Sequence, residues 1–285
     1  MLSGVWCWVC IATAGIVVAA EETQQVSAGK ADPQGVIVHQ VESSYQAGTT
    51  DIRVLLPPQP VVGKRYPVIY LLPVEAGRES RYGDGMTEVL KQQLHHRHDA
   101  IFVAPSFSQL PWYADHPTEP AIRQESYFLD VVIPYIERTY PASAQGSDRL
   151  LVGFSKSGWG AWTLLLRHPE TFGRAVAWDA PLMMPDLGLY GNKPIFATSD
   201  NFQKYRVTDL LKKRAELLKK TSQDSPRLIL AGYGNFQKHH EQAHDLLEEL
   251  EIPHVELTTP PRPHNWHSGW LPEALPHLLP TTEVP

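Results

Sequence analysis

Residues 149–161 read RLLVGFSKSGWGA. An apolar run over 150–154 meets Ser155, and Gly158, Gly160 and Ala161 lead into 162–166, which continues as a helix would. Strand, sharp turn and helix, with a serine at the turn, is the layout of the G-x-S-x-G nucleophile elbow, where a strained turn lifts the hydroxyl above a sheet. Small neighbours let the strand and helix backbones approach each other. Ser157 stands where the pattern has its last glycine. It is small and Gly158 follows, so the turn is retained. The competing reading is an ordinary strand-to-helix turn that contains a serine.

Working outward, apolar runs alternate with segments of helical spacing. The runs at 66–72 (YPVIYLL) and 100–104 are continuous, as strands buried on both faces require. Further strands are expected at 174–178, 227–231 and 254–257. Helices are expected at 83–98, 120–140, 208–220, 239–250 and 269–279, with Pro134 kinking the second. Residues 36–41 and 52–56 read as an antiparallel pair around a polar turn at 46–50, ended by Pro57, Pro58 and Pro60. Residues 181–207 and 260–267 read as loops. The alternation implies an α/β fold: a mostly parallel central sheet, an antiparallel N-terminal strand pair and helices on both faces, in one domain over 36–285. Ligands on such sheets bind beyond the carboxyl ends of the strands. Ser155, Asp179, Asn235 and the loop carrying His264 all fall there.

Of the 285 residues, 42% are hydrophobic and 20% charged, which is a globular composition. The net charge of −6 and the lack of basic blocks argue against a nucleic-acid partner. Residues 5–20 are almost wholly apolar and end in Val18-Ala19-Ala20. They read as a signal peptide spanning 1–20, followed by a disordered polar leader over 21–35. The run is short for a membrane span, so an uncleaved anchor is the competing reading. Both cysteines, Cys7 and Cys10, lie inside this segment. The rest of the chain therefore offers no disulfide, thiol nucleophile or thiolate metal site. The expectation is an exported protein, periplasmic or extracellular, without stable membrane insertion after cleavage.

A serine hydroxyl is a weak nucleophile until a base takes its proton. In the chain order serine, acid, histidine, the base follows the last strand, where PRPHNWHSGW supplies His264 as first choice and His267 as second. After the penultimate strand, the usual place of the acid, the sequence reads GYGN, and Asn235 stands there instead. Asparagine can orient an imidazole but cannot stabilise imidazolium by charge. Asp179 in AVAWDAPL ends the strand after the serine helix, and neighbouring strand ends lie about 5 Å apart. Asp179 is the expected acid, with Asn235 a supporting or substitute partner. The plainer reading of Asp179 is a cap or loop brace. Oxyanion donors are expected from the Lys156 N–H and from Val74 or Glu75 in PVEAG. Trp112, Tyr113, Trp159 and Trp266 are candidates for an apolar or sugar-stacking pocket. Trp162 is expected in the core, and His95, His96 and His98 at a solvated helix end. This chemistry needs no metal and no organic cofactor.

From residue 66 to the C-terminus the chain resembles the esterase branch of the α/β-hydrolases, which holds esterase D, feruloyl esterases and the bacterial mycolyltransferases. GFSKSGWGA resembles that family's G-x-S-M-G-G-x-G-A elbow, and PWYADHP with ESYFLDVVIPYIERTYP resembles its aromatic loop and the helix after it. HNWHSGW resembles its H-x-W histidine loop, which implies His264 as base. The resemblance implies a serine hydrolase acting on a carboxylic ester, small or carbohydrate-linked, through an acyl-enzyme. Lys156-Ser157 and Asn235 depart from the family pattern. Two other classes compete. His240-Glu241-Gln242-Ala243-His244 matches the zinc-protease pattern H-E-x-x-H, with Leu247 where the metzincin continuation has glycine. The absence of a carboxylate at Asn235 also leaves a binding protein on a hydrolase fold whose catalysis has lapsed.

Overall fold

Side chains of an extended strand alternate between the faces of a sheet, so a run that is apolar throughout demands cover on both. The computed structural model, which describes residues 24–279 except 224, 233, 258 and 259, supplies it. Its strands are β1 (Gln24–Val26), β2 (Lys30–Ala31), β3 (Ile37–Ser43), β4 (Thr49–Leu55), β5 (Val68–Leu72), β6 (Ile101–Pro105), β7 (Arg149–Phe154), β8 (Arg174–Trp178), β9 (Leu228–Ala231) and β10 (His254–Leu257). β5 is buried at every position. Val68, Tyr70 and Leu72 join one core cluster, while Ile69 and Leu71 join the other.

The strands form one sheet in the spatial order β1-β3-β4-β6-β5-β7-β8-β9-β10, with β2 also pairing β3. From β6 to β10 every pairing is parallel, and β3, β4 and β6 pair antiparallel. One face is covered by the helices Lys156–Arg167, Val207–Thr221 and Gln237–Glu249 and by a helical stretch over 124–139; the other by Gly85–Lys91 and Leu271–Leu278. This is the α/β-hydrolase fold that the sequence implies.

Several local expectations differ. The helix expected over 83–98 is two, Gly85–Lys91 and Leu94–Arg97, broken at Gln93 with φ +50°. The helix expected from 120 starts at Gln124 and passes through a π-helical segment, Tyr127–Val132, before Ile133–Thr139. Pro134 has no N–H to continue the ladder, and the wider π turns sit just ahead of it. The leader expected to be disordered carries β1 and β2 in its described part. Its polar side chains stay outside while its backbone pairs with the exposed side of β3. The loop expected over 181–207 contains the short helices Lys193–Phe196 and Ser199–Gln203. The predicted signal segment, 1–20, lies outside the described residues. No described helix is long and apolar enough to cross a membrane.

The serine helix is tied to its surroundings by a buried acid. Glu125 accepts from Arg167 Nε and Nη2 at 2.6 and 2.9 Å, lies 2.6 Å from His168 Nε2, and accepts from Tyr205 Oη at 2.9 Å. Burial alone would raise its pKa, but the hydrogen bonds from His168 and Arg167, with their charge, hold it down at about 2. A depressed carboxylate stabilises the fold above its ordinary pKa of 4.5 and loses that contribution as pH falls towards about 2. Glu125→Ala, which strands a partly buried guanidinium, is expected to cost about 3 kcal/mol at neutral pH. Thermal denaturation as a function of pH checks this: the gap between wild type and variant should close between pH 4.5 and about 2.

Candidate active site

β7 and β8 are parallel and in register, with Phe154 opposite Trp178. The next residues, Ser155 and Asp179, therefore leave the sheet side by side. Ser155 donates its N–H to the Trp178 carbonyl at 3.0 Å, which fixes the two strand ends at one level. Both residues have left-handed backbones, with φ +53° at Ser155 and +40° at Asp179. Non-glycine residues in that region cost on the order of 1–3 kcal/mol and persist where the surroundings impose them.

The surroundings of the Ser155 turn are specific. A Cβ at Gly153 would come within 2.0 Å of the Ser157 carbonyl, and one at Gly160 within 2.1 Å of the Tyr113 ring. Glycine at both positions is what lets β7 and the Tyr113 ring close on the helix Lys156–Arg167. Ser157, the departure from the elbow pattern, braces the turn. Its hydroxyl donates to the Phe154 carbonyl and accepts from the Phe154 N–H, both at 2.9 Å.

Asp179 is fully buried. Its Oδ1 accepts from the Phe236 N–H at 2.8 Å, and its Oδ2 from the Asn235 N–H at 3.0 Å. His264 Nδ1 lies 2.6 Å from the same Oδ2. Burial pushes the Asp179 carboxyl up, but the His264 hydrogen bond, the two backbone donors and the imidazole charge outweigh it and hold the pKa below the ordinary 3.8. A carboxylate only accepts, so Nδ1 carries the proton and Nε2 presents its lone pair. Asn235 therefore takes part through its backbone N–H, while its side chain is exposed. The His264 ring lies 4.4 Å from Phe154 and 6.4 Å from Trp178, centroid to centroid, and meets Tyr82 edge-on at 5.8 Å. The last residues of β7 and β8 thus pack against the imidazole that bonds to Asp179.

Lys156 opens the helix after Ser155, where first-turn N–H groups have no acceptor inside the helix. Burial lowers the pKa of its side-chain ammonium, with Glu75 opposing and Arg81 adding to the shift. Val74 lies two residues beyond Leu72, which pairs with Gly153. Tyr113 Oη holds this loop by donating to the Pro73 carbonyl at 2.6 Å. A cavity of about 290 Å³ behind the loop is lined by Val74, Arg53, Asp84 and Trp266 but by neither Ser155 nor His264. Trp112 and Trp159 are fully buried and pack edge to face at 5.5 Å; they are core neighbours of Phe196. Tyr113 is equally buried. His267, the second-choice base, is engaged elsewhere, with Nδ1 3.1 Å from the buried Glu88.

The H-E-x-x-H reading does not survive the geometry. His240 is fully buried, and its Nε2 accepts from the Ala180 N–H at 2.7 Å. Burial lowers its pKa to about 4, consistent with a neutral imidazole used as an acceptor. His244 turns instead to His254. The two motif histidines do not face one ion. Sequence reasoning missed this role of His240, the brace at Ser157 and the Tyr113–Pro73 tie. Only the serine in place of a glycine offered a signal.

The family described as "Putative esterase" matches residues 43–222, more than half of the chain. No curated protein sequence matches. Among solved structures, a ferulic acid esterase has a TM-score of 0.63 at 18% identity, covering 90% of this chain and 98% of its own. A fluorophosphonate-binding serine hydrolase of Staphylococcus aureus has a TM-score of 0.67 at 16% identity, covering 91% and 99%. An S-formylglutathione hydrolase of Agrobacterium tumefaciens has a TM-score of 0.62 at 15% identity, covering 89% and 98%. At such identities the likeness is one of fold, and the family match carries the class. The chain belongs to this esterase family of the α/β-hydrolases and is a carboxylic-ester hydrolase.

Proposed function

We propose that the chain is an exported serine hydrolase in which Ser155, His264 and Asp179 form the catalytic triad. The observation that carries this reading is the 2.6 Å contact between His264 Nδ1 and buried Asp179 beside the left-handed Ser155 turn. Asp179 holds the imidazole in the tautomer whose Nε2 is free to act as base. Nε2 takes the Ser155 proton as Oγ attacks the ester carbonyl, and the Lys156 and Val74 N–H groups bind the oxyanion. His264 then returns the proton to the leaving alcohol, an acyl-enzyme remains, and water resolves it by the same steps. The substrate is a carboxylic ester, small or carbohydrate-linked. The apolar segment 5–20 supports export with cleavage after Ala20, leaving a catalytic domain whose sheet begins at β1.

Asn235, in place of a carboxylate, also permits a lapsed binding protein. The carboxylate at Asp179, held ionised and bonded to His264, argues against it.

A fluorophosphonate probe is expected to label Ser155, with the adduct located by mass spectrometry. Labelling should vanish in Ser155→Ala and His264→Ala. Asp179→Asn should lower kcat by about 10⁴-fold, measured on an activated ester. Labelling that survives Asp179→Asn but is lost in Asn235→Ala would reassign the acid, and a folded protein that never labels would return the binding-protein reading. Ser157→Gly removes both hydrogen bonds to Phe154 and is expected to cost about 1–3 kcal/mol of stability, read as a lower Tm together with a lower kcat.

A further inference from the structure

The helix Gln237–Glu249 and the edge strand β10 bring three donor side chains, His244, Glu248 and His254, to one place, away from the Ser155 site. On the helix, His244 and Glu248 are spaced i, i+4 and share a face. On the strand, His254 and Glu256 are spaced i, i+2 and share a side. His244 Nδ1 and His254 Nε2 are 3.0 Å apart. Glu256 Oε2 is 3.8 Å from His244 Nδ1, and Glu248 Oε1 is 3.9 Å from His254 Nε2. The donor atoms of His244, Glu248 and His254 all lie within 4.8 Å of one another.

We propose that His244, His254 and Glu248 form a binding site for a divalent transition-metal ion of the zinc type. Tetrahedral zinc with nitrogen and oxygen ligands at 2.0–2.2 Å spaces its donors about 3.4 Å apart; His244 and His254 lie 3.0 Å apart, His254 and Glu248 3.9 Å, and all three within 4.8 Å, so that small side-chain rotations bring them to that spacing.

A second, independent observation fixes a tautomer. His254 Nδ1 lies 2.9 Å from the Ile252 carbonyl, which can only accept. Nδ1 therefore carries the proton, and Nε2 turns its lone pair towards His244. A ligand imidazole whose other nitrogen donates to a backbone carbonyl is the usual outer support of a metal site. Ile252 is itself held in the short turn before β10, its N–H donating to the Leu247 carbonyl at 2.9 Å. With the ion bound, His244 holds its proton on Nε2 and turns the Nδ1 lone pair to the metal. Imidazole and carboxylate together suit zinc and its neighbours rather than calcium or magnesium. Access is open: the His244 side chain is 35% and Glu248 67% exposed, while His254 is 6% exposed and rigidly placed. The site would clamp β10 to the helix in front of it, and it does not depend on the esterase reading.

The test uses the purified full chain, stripped with chelator and titrated with Zn²⁺ by calorimetry and with Co²⁺ by visible absorption. The expected result is one saturable equivalent, tetrahedral Co²⁺ bands, and a Tm raised by roughly 5 °C at saturating Zn²⁺. His244→Ala, a partly exposed position that should fold, is expected to weaken Zn²⁺ at least about 100-fold, and Glu248→Gln about 10-fold. Circular dichroism confirms the fold of each. No binding to the wild type overturns the proposal. So does unchanged binding in His244→Ala, or loss of binding in His95→Ala/His96→Ala, a double variant of the other adjacent histidine pair. Fluorophosphonate labelling of Ser155 should be the same with and without chelator.

Discussion

The parallel register of β7 with β8, Leu150 opposite Arg174 through Phe154 opposite Trp178, ends the two strands at the same height. The proposed site follows from that alignment. The bond from the Ser155 N–H to the Trp178 carbonyl closes the ladder one step past the last pair. The turn at Ser155 and the left-handed residue at Asp179 are then presented together, and His264 reaches the Asp179 carboxylate. A slip of one residue would turn every side chain of a strand to the opposite face, and would send core residues such as Leu151 and Ala177 into the wrong cluster as well as moving Asp179. The same packing that fills the core thus sets the spacing of the polar groups above it.

The proposed acid illustrates how a fold tolerates rearrangement. The strand end after β9 supplies backbone N–H groups, from Asn235 and Phe236, where the expected arrangement would supply a carboxylate. The carboxylate comes from β8, and the loop after β9 wraps it. The charge and the amides that stabilise it have exchanged strands while His264 stays on the loop after β10. An anion buried without such donors would carry a large penalty. Here two amides and an imidazole hold it ionised.

Much of this was legible in the sequence because the deciding residues sit at ends of unmistakable elements. The continuous apolar runs of β5, β6 and β7 have no other stable home than a covered parallel sheet, and the chain order of Ser155, Asp179 and His264 then orders the strand ends. The local breaks were less legible. Gln93 adopts a left-handed conformation with no glycine to announce it, and the π segment before Pro134 is a tertiary accommodation of a residue that alone predicts only a kink. The H-E-x-x-H pattern is a chance match for a definable reason. Spacing of i, i+4 places two side chains on one face, but the buried stripe of this helix runs through His240, Ala243, Leu246 and Leu247 and leaves His244 at its margin. Trp112 and Trp159 clustered near the site in sequence, yet large aromatic surface is most readily buried against other rings, and there it went.

The location of Asp179 at the end of β8 has a kinetic corollary. The proposed nucleophile and acid, Ser155 and Asp179, belong to a single strand–helix–strand unit and come together when that unit closes. The imidazole is brought to the acid across a separation of 85 residues, at a loop-closure cost on the order of 1 kcal/mol greater. Contacts close in the chain form ahead of distant ones where topology sets the pace. The serine and carboxylate would thus be in place before the C-terminal loop docks, and the newly folding chain would carry a paired but powerless site until its final segment arrives.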